Sequence, residues 1–328
     1  MNLSTFRDAR TWLAASALLF ALVALVMPRI TLKRDAYDVL AVVDITTSMN
    51  TRDVASGADK MSRMDAAKAA LRETLAKLPC GSRLGLGFFT ERRSFLLFDP
   101  VEVCENFAPI DEAIAMLDWR MAWEGDSFVS KGLFSAIDIA NSLKADLIFV
   151  TDGHEMPPLP YSGVTPFEGK VGDVGGLIVG VGGRTPSRLL KYDDEGREIG
   201  TYGVQEVPQE NRSGPPPPDA ASRPGYHPKW APWGNAVVNN KEHVAMVREA
   251  YLKQLAGITG LSYAYLDTPH DLARPLSAAA HPRALDVATD VSAVPGALAL
   301  ALLVLIYIVG AIDLRRPLIV STRPKGAY

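Results

Sequence analysis

The chain of 328 residues is poor in cysteine and histidine and has no excess of positive charge. Two cysteines exclude a disulfide-dense scaffold and a four-thiolate zinc site, and leave room for one bridge. Five histidines occur without an H-E-x-x-H pair or a Cys/His ligand spacing, so no zinc-hydrolase signature is present. Against 37 Asp plus Glu stand 34 Lys plus Arg, a formal net charge of -3, which lacks the electrostatic footprint of a nucleic-acid binder. There is no Walker A loop and no G-x-S-x-G elbow, and Gly180-Val181-Gly182-Gly183 lacks the third glycine of a dinucleotide fingerprint. His154-Glu155 beside Asp152 reads either as a loop feature or as an acid/base pair. Taken together, these absences argue against an enzyme.

What the sequence does have is apolar residues, 48% of the chain, with a mean hydropathy of +0.07. Part of that excess sits in two uncharged runs, Thr11 to Met27 and Val291 to Ile312. The first is near the lower limit of the ~20 apolar residues that a helix needs to cross a bilayer, and the second meets it. The first run reads as a span or as a cleaved signal peptide. The second, followed by Arg315 and Arg316, reads as an anchor, with a buried core helix as its alternative. The expected organisation is a tail and span over 1–35 (apolar part about 11–28), a globular portion over 36–290, a second span over 291–313 and a tail over 314–328. Arg7, Arg10, Arg315, Arg316, Arg323 and Lys325 lie in the tails, against Arg29, Lys33, Arg34 and Arg283 on the other side. This bias predicts cytoplasmic termini and, in a bacterial inner membrane, a periplasmic middle portion.

Between the runs, strands and helices alternate. Val39–Val43, Leu147–Val150 and Leu177–Val181 are continuous apolar runs of the kind buried on both faces of a sheet. Arg63–Leu78, Ile110–Leu117, Ser130–Leu143 and His243–Ala256 have helical spacing, and Leu261–Leu266 reads as a last strand. Arg83–Phe89 and Phe95–Phe98 form a hairpin turning at Thr90–Arg93. The fold class predicted is α/β, a doubly wound and mostly parallel sheet with one antiparallel hairpin. Arg184 to Asn240 is irregular and carries Pro215–Pro218 with Tyr226, Trp230 and Trp233. It reads as a solvated insertion or as a partner-contact surface.

Chemistry concentrates at the strand ends. After Val39–Val43 come Asp44, Thr46 and Ser48 at alternate positions, and after Leu147–Val150 comes Asp152. Ser127 lies between them in Gly125-Asp126-Ser127. Open α/β sheets bind ligands at this edge. Two carboxylates and three hydroxyls without a thiolate form a hard oxygen set suited to Mg²⁺ or Mn²⁺, with Ca²⁺ possible.

This pattern resembles the metal-ion-dependent adhesion site of the von Willebrand factor type A family, D-x-S-x-S followed by a Thr and an Asp on three loops. Thr46 replaces the first Ser, and Ser127 replaces the Thr in a segment, GDSFVSKGL, similar to the family's GT-x-x-G-x-x-L. Both changes keep a hydroxyl. The resemblance, over roughly Tyr37 to Asp267, implies that the ion's open position takes an acidic side chain of a protein partner. More narrowly, DITTSMNTRD, LPCGSRLGLGFFTERRSFLL, PVEVCENF and TDGHEMPP look like the MxaL-type proteins encoded with periplasmic methanol dehydrogenase. That implies a role in maturing the quinoprotein or inserting its Ca²⁺. The alternatives are an anchored protein of another envelope or stress-tolerance process, and a hydrolase using the metal as a Lewis acid. Finally, Cys80 precedes one hairpin arm and Cys104 follows the other at nearly mirrored distances, which predicts a disulfide, with two buried thiols as the alternative.

Overall fold

Leu40, Ala41 and Val42 leave no face of their strand that water could solvate, so the strand needs cover on both sides, and helices supply it. The computed structural model describes residues 9–26, 30–121, 125–211, 215–229, 233–234 and 241–314. From the N-terminus come α1 (Ala9–Val26), β1 (Ile30–Ala36), β2 (Asp38–Asp44) and a small hairpin of β3 (Arg52–Ser56) and β4 (Asp59–Ser62). Helix α2 (Arg63–Lys77) leads into a second hairpin, β5 (Arg83–Thr90) and β6 (Arg93–Glu102). Next are α3 (Phe107–Ala115), α4 (Val129–Leu143), β7 (Asp146–Thr151) and β8 (Gly176–Val181). Short strands follow: β9 (Ser187–Arg188), β10 (Leu190–Tyr192), β11 (Glu198–Thr201) and β12 (Val244–Ala245). The chain continues through α5 (Glu249–Thr259), β13 (Ser262–Leu266), α6 (Ala273–Ala279), β14 (Arg283–Thr289) and α7 (Ala293–Leu314).

Residues 35–284 form one of two units. Its six-stranded sheet has the order β13-β8-β7-β2-β5-β6, parallel throughout except for β6 against β5. Alternation along each strand divides the core. Val39, Ala41, Val43, Ile148 and Val150 pack with Leu71 and Leu75 of α2 on one face. Leu40, Val42, Leu147 and Phe149 pack with Leu133 and Ala136 of α4 on the other. Gly132 permits the close approach of α4, because a Cβ there would sit 2.0 Å from the Phe89 ring. The hairpin turns where expected, with Thr90 opposite Arg93. Beneath it, Cys80 and Cys104 are bonded, with Cα atoms 5.3 Å apart.

Three features depart from the sequence reading. The α5 helix begins at Glu249 rather than His243, because the preceding backbone is used for docking. There, Val247 N donates to Gly183 O at 3.0 Å and Arg248 N to Asp152 O at 2.8 Å. The β3–β4 hairpin went unpredicted because Arg52–Ser62 has no apolar alternation over most of its length. The stretch from 184 to 240 is not uniformly solvated: Leu189, Asn211 and Ala220 are buried.

The other unit comprises residues 1–34 and 285–328. In it α1 packs along α7, with Ala17 and Ala299 buried. Both apolar runs are therefore helical, but the two expected membrane spans are not met: among the described residues no helix is long and apolar enough to cross a membrane. The α1 helix rises about 27 Å, short of the roughly 30 Å of a hydrocarbon core. Basic tail residues Arg7, Arg315, Arg316, Arg323 and Lys325, together with Arg29 and Trp230, lie outside the described residues.

Candidate metal centre

Parallel pairing of β2 with β7, Val43 opposite Val150, brings Asp44 and Asp152 to the same end of neighbouring strands. Asp44 is fully buried. Its Oδ1 accepts from Thr46 N at 2.9 Å and Thr46 Oγ1 at 2.7 Å, and its Oδ2 from Thr151 Oγ1 at 2.6 Å. The hydroxyls of Thr46 and Ser48 lie 3.5 Å apart. Ser127 is clamped by its backbone: its N–H donates to Met156 O at 2.6 Å and its carbonyl accepts from Met156 N at 2.7 Å. Thr46, Ser48 and Ser127 line one cavity of about 240 Å³, while Asp44 and Asp152 lie outside its lining. The five expected residues thus share one sheet edge, hydroxyls on the cavity wall.

The charges explain why the carboxylates are held so firmly. Burial, with the nearby Asp152 charge adding to it, pushes the Asp44 carboxyl up to about 7, although hydrogen bonds from Thr151 and Thr46 oppose the rise. Asp152 Oδ1 accepts from His154 N at 2.9 Å, and its Oδ2 accepts from Arg63 Nη1. Arg63 has no exposed surface. It also donates from Nε to Asp53 Oδ1 at 3.0 Å, from Nη1 to Ser48 O at 3.4 Å and from Nη2 to Ala245 O at 3.1 Å. Gly182 makes room for it, since a Cβ there would lie 2.5 Å from Arg63 Nε.

Neither His154 nor Glu155 is poised as an acid/base pair. His154 Nε2 lies 3.2 Å from Glu242 Oε2, and Glu242 also accepts from Arg248 at 3.1 Å. Glu155, its carboxyl pushed up by burial, accepts from Ser130 N at 3.0 Å and from the Tyr251 hydroxyl. The two side chains serve different partners.

A divalent cation fits this donor set. Ser127 Oγ is buried with no hydrogen-bond partner among the described residues, although buried hydroxyls ordinarily have one. Two carboxylates at one edge are also unfavourable without a compensating positive charge, and Arg63 compensates Asp152 while sharing its fork with Asp53. Three residues escaped the sequence reading: Thr151, Asp53 and Arg63. Arg63 had left a signal, because a cation opening a helix opposes the helix dipole and calls for nearby carboxylates.

Residues 39–154 match the family model of the von Willebrand factor type A domain. Domains of this type commonly bind a divalent metal and mediate protein–protein interactions. A comparison with curated proteins finds no match. Among solved structures, an aerotolerance-related membrane protein from Bacteroides fragilis is 14% identical with a TM-score of 0.45, and the match covers 74% of this chain and 98% of that one. BatB from Bacteroides thetaiotaomicron is 15% identical with a TM-score of 0.41, covering 71% and 91%. A membrane-spanning protein from Vibrio fischeri is 15% identical with a TM-score of 0.27, covering 70% and 92%.

Proposed function

We propose that the chain is a binding protein, not an enzyme, and that it engages a protein partner through a divalent ion held by Asp44, Thr46, Ser48, Ser127 and Asp152. The observation that carries this reading is the buried, unpartnered Ser127 hydroxyl on a cavity wall that it shares with Thr46 and Ser48. The ion, Mg²⁺ or Mn²⁺ by the hardness of the oxygen donors and with Ca²⁺ possible, supplies an open position for an acidic side chain. Asp44 neutralises its charge, Thr46, Ser48 and Ser127 offer neutral oxygens, and Arg63 fixes the Asp152 carboxylate.

The location proposed is the periplasmic face of a bacterial inner membrane. The Cys80–Cys104 bond suits an oxidising compartment. The α1–α7 pair turns Leu18, Leu22, Leu25, Leu300, Leu303 and Tyr307 outward, a surface that suits lipid. The finer reading, assistance to a quinoprotein methanol dehydrogenase, rests on the resemblance of DITTSMNTRD, LPCGSRLGLGFFTERRSFLL, PVEVCENF and TDGHEMPP. Its test is whether the dehydrogenase co-purifies with the full chain and is lost with chelator.

The metal reading is tested by calorimetric titration with Mg²⁺ and Mn²⁺. Asp44→Ala is expected to abolish binding while keeping the folded circular-dichroism spectrum, and Ser127→Ala to weaken it less. Unchanged affinity in Asp44→Ala sinks the reading.

A further inference from the structure

Residues between Gly183 and Asn211 lie outside the metal-site motif, yet they build one side of the cavity above it. Leu189, Tyr202, Val207 and Pro208 face Thr46, Ser48 and Ser127 across its space of about 240 Å³. This wall is anchored to the site. Strand β9 pairs with β12, Val244 opposite Arg188, and Arg63, which holds Asp152 and the Ser48 carbonyl, also donates to Ala245 O. Leu189 itself is buried and pinned on both sides: its N–H donates to His243 O at 3.3 Å, and its carbonyl accepts from Tyr202 N at 3.0 Å. At the far end, Asn211 Nδ2 donates to Pro158 O at 2.8 Å.

Size and chemistry restrict the occupant. The cavity is smaller than the roughly 300–1,000 Å³ of ordinary small-molecule pockets, which suits one or two side chains. Its lining is mixed, the hydroxyls of Thr46, Ser48 and Ser127 beside Asp126 and His154, and the apolar Leu189, Val207 and Pro208 beside Tyr202 and Glu206. Glu206 stands exposed on the same rim, with its carboxylate held by Lys191 Nζ and by Gly203 N at 2.7 Å.

We infer that residues 187–208 form the specificity wall of the metal centre. The partner is a protein loop that offers one carboxylate to the ion and seats an adjacent apolar side chain against Leu189, Val207 and Pro208. The inference rests on the metal-mediated binding proposed above.

The test is selection of a displayed random heptapeptide library on the immobilised full chain in Mg²⁺, with release by chelator. Released peptides are expected to carry one Asp or Glu with Leu, Ile, Val or Phe within two positions, enriched about tenfold or more, the scale of burying one such side chain. Val207→Asp should retain the acid and lose the apolar preference, and the exposed Pro208→Asp carries the same test if Val207→Asp does not fold. Acid enrichment without an apolar neighbour overturns the wall and leaves the metal reading standing. An apolar preference that survives both variants also overturns the wall. Absence of any chelator-released peptide overturns the metal reading, and the wall with it.

Discussion

At Asp44 the proposed ion would compete with a proton. The carboxyl titrates near 7 in the folded protein against an ordinary 3.8, because burial and the Asp152 charge disfavour its ionised form. In the metal-free protein, this group's contribution to stability is therefore complete below about pH 4 and is lost as pH rises through about 7. A divalent ion reverses that loss by favouring the ionised form. The thermal shift produced by Mg²⁺ is expected to be small at pH 5 and large at pH 8, measured against chelator at each pH. Arg63 makes a second residue-scale prediction. Arg63→Met leaves Asp53 and Asp152 without their shared counter-ion inside the protein and should cost about 3–5 kcal/mol, measured by urea denaturation. The shared sheet edge of the candidate site was legible in the sequence because Asp44, Thr46 and Ser48 sit two apart on one loop and Asp152 ends an apolar strand. The pairing of Arg63 with Asp152 was not, because the two lie 89 residues apart and no local spacing encodes it.

At the scale of elements, legibility tracked burial. Strands β2, β7 and β8 are covered on both faces and read as unbroken apolar runs. The β10–β11 pair carries no such run: all of β11 is exposed, and its strands are held by local hydrogen bonds. The start of α5 was misjudged for a related reason, since the amides of Val247 and Arg248 are committed to partners more than 60 residues away. Cys80 and Cys104 were found from the mirrored arms of β5 and β6, whose register the structure shares. Their bond closes a loop of 24 residues, and replacing both by Ser should lower stability by about 3 kcal/mol. Denaturant titration of the double variant beside the oxidised parent checks this value.

For the whole molecule, the two ends of the chain give the sharpest expectation. Leu22 and Leu303 belong to outward apolar faces of α1 and α7, a surface that suits lipid, so the full chain should sediment with lipid vesicles. A variant carrying Leu22→Glu and Leu303→Glu should remain in the supernatant. That these runs are helical was readable from their composition. That they pack on one another through Ala17 and Ala299 was not, because small residues signal close packing only once a partner helix is known.

The 35–284 unit gathers its ends at Asp38, which accepts from Arg83 at 2.7 Å and from Arg283 at 3.0 Å. Asp38 begins β2, and Asp44, at the metal edge, ends it. A tether pulling on the unit's ends and a partner pulling on the metal edge would therefore load β2 lengthwise. Its hydrogen bonds to β5 and β7 would share the force in shear instead of parting one after another as in a zipper. Mechanically, the domain is a hook whose shank is a strand buried on both faces.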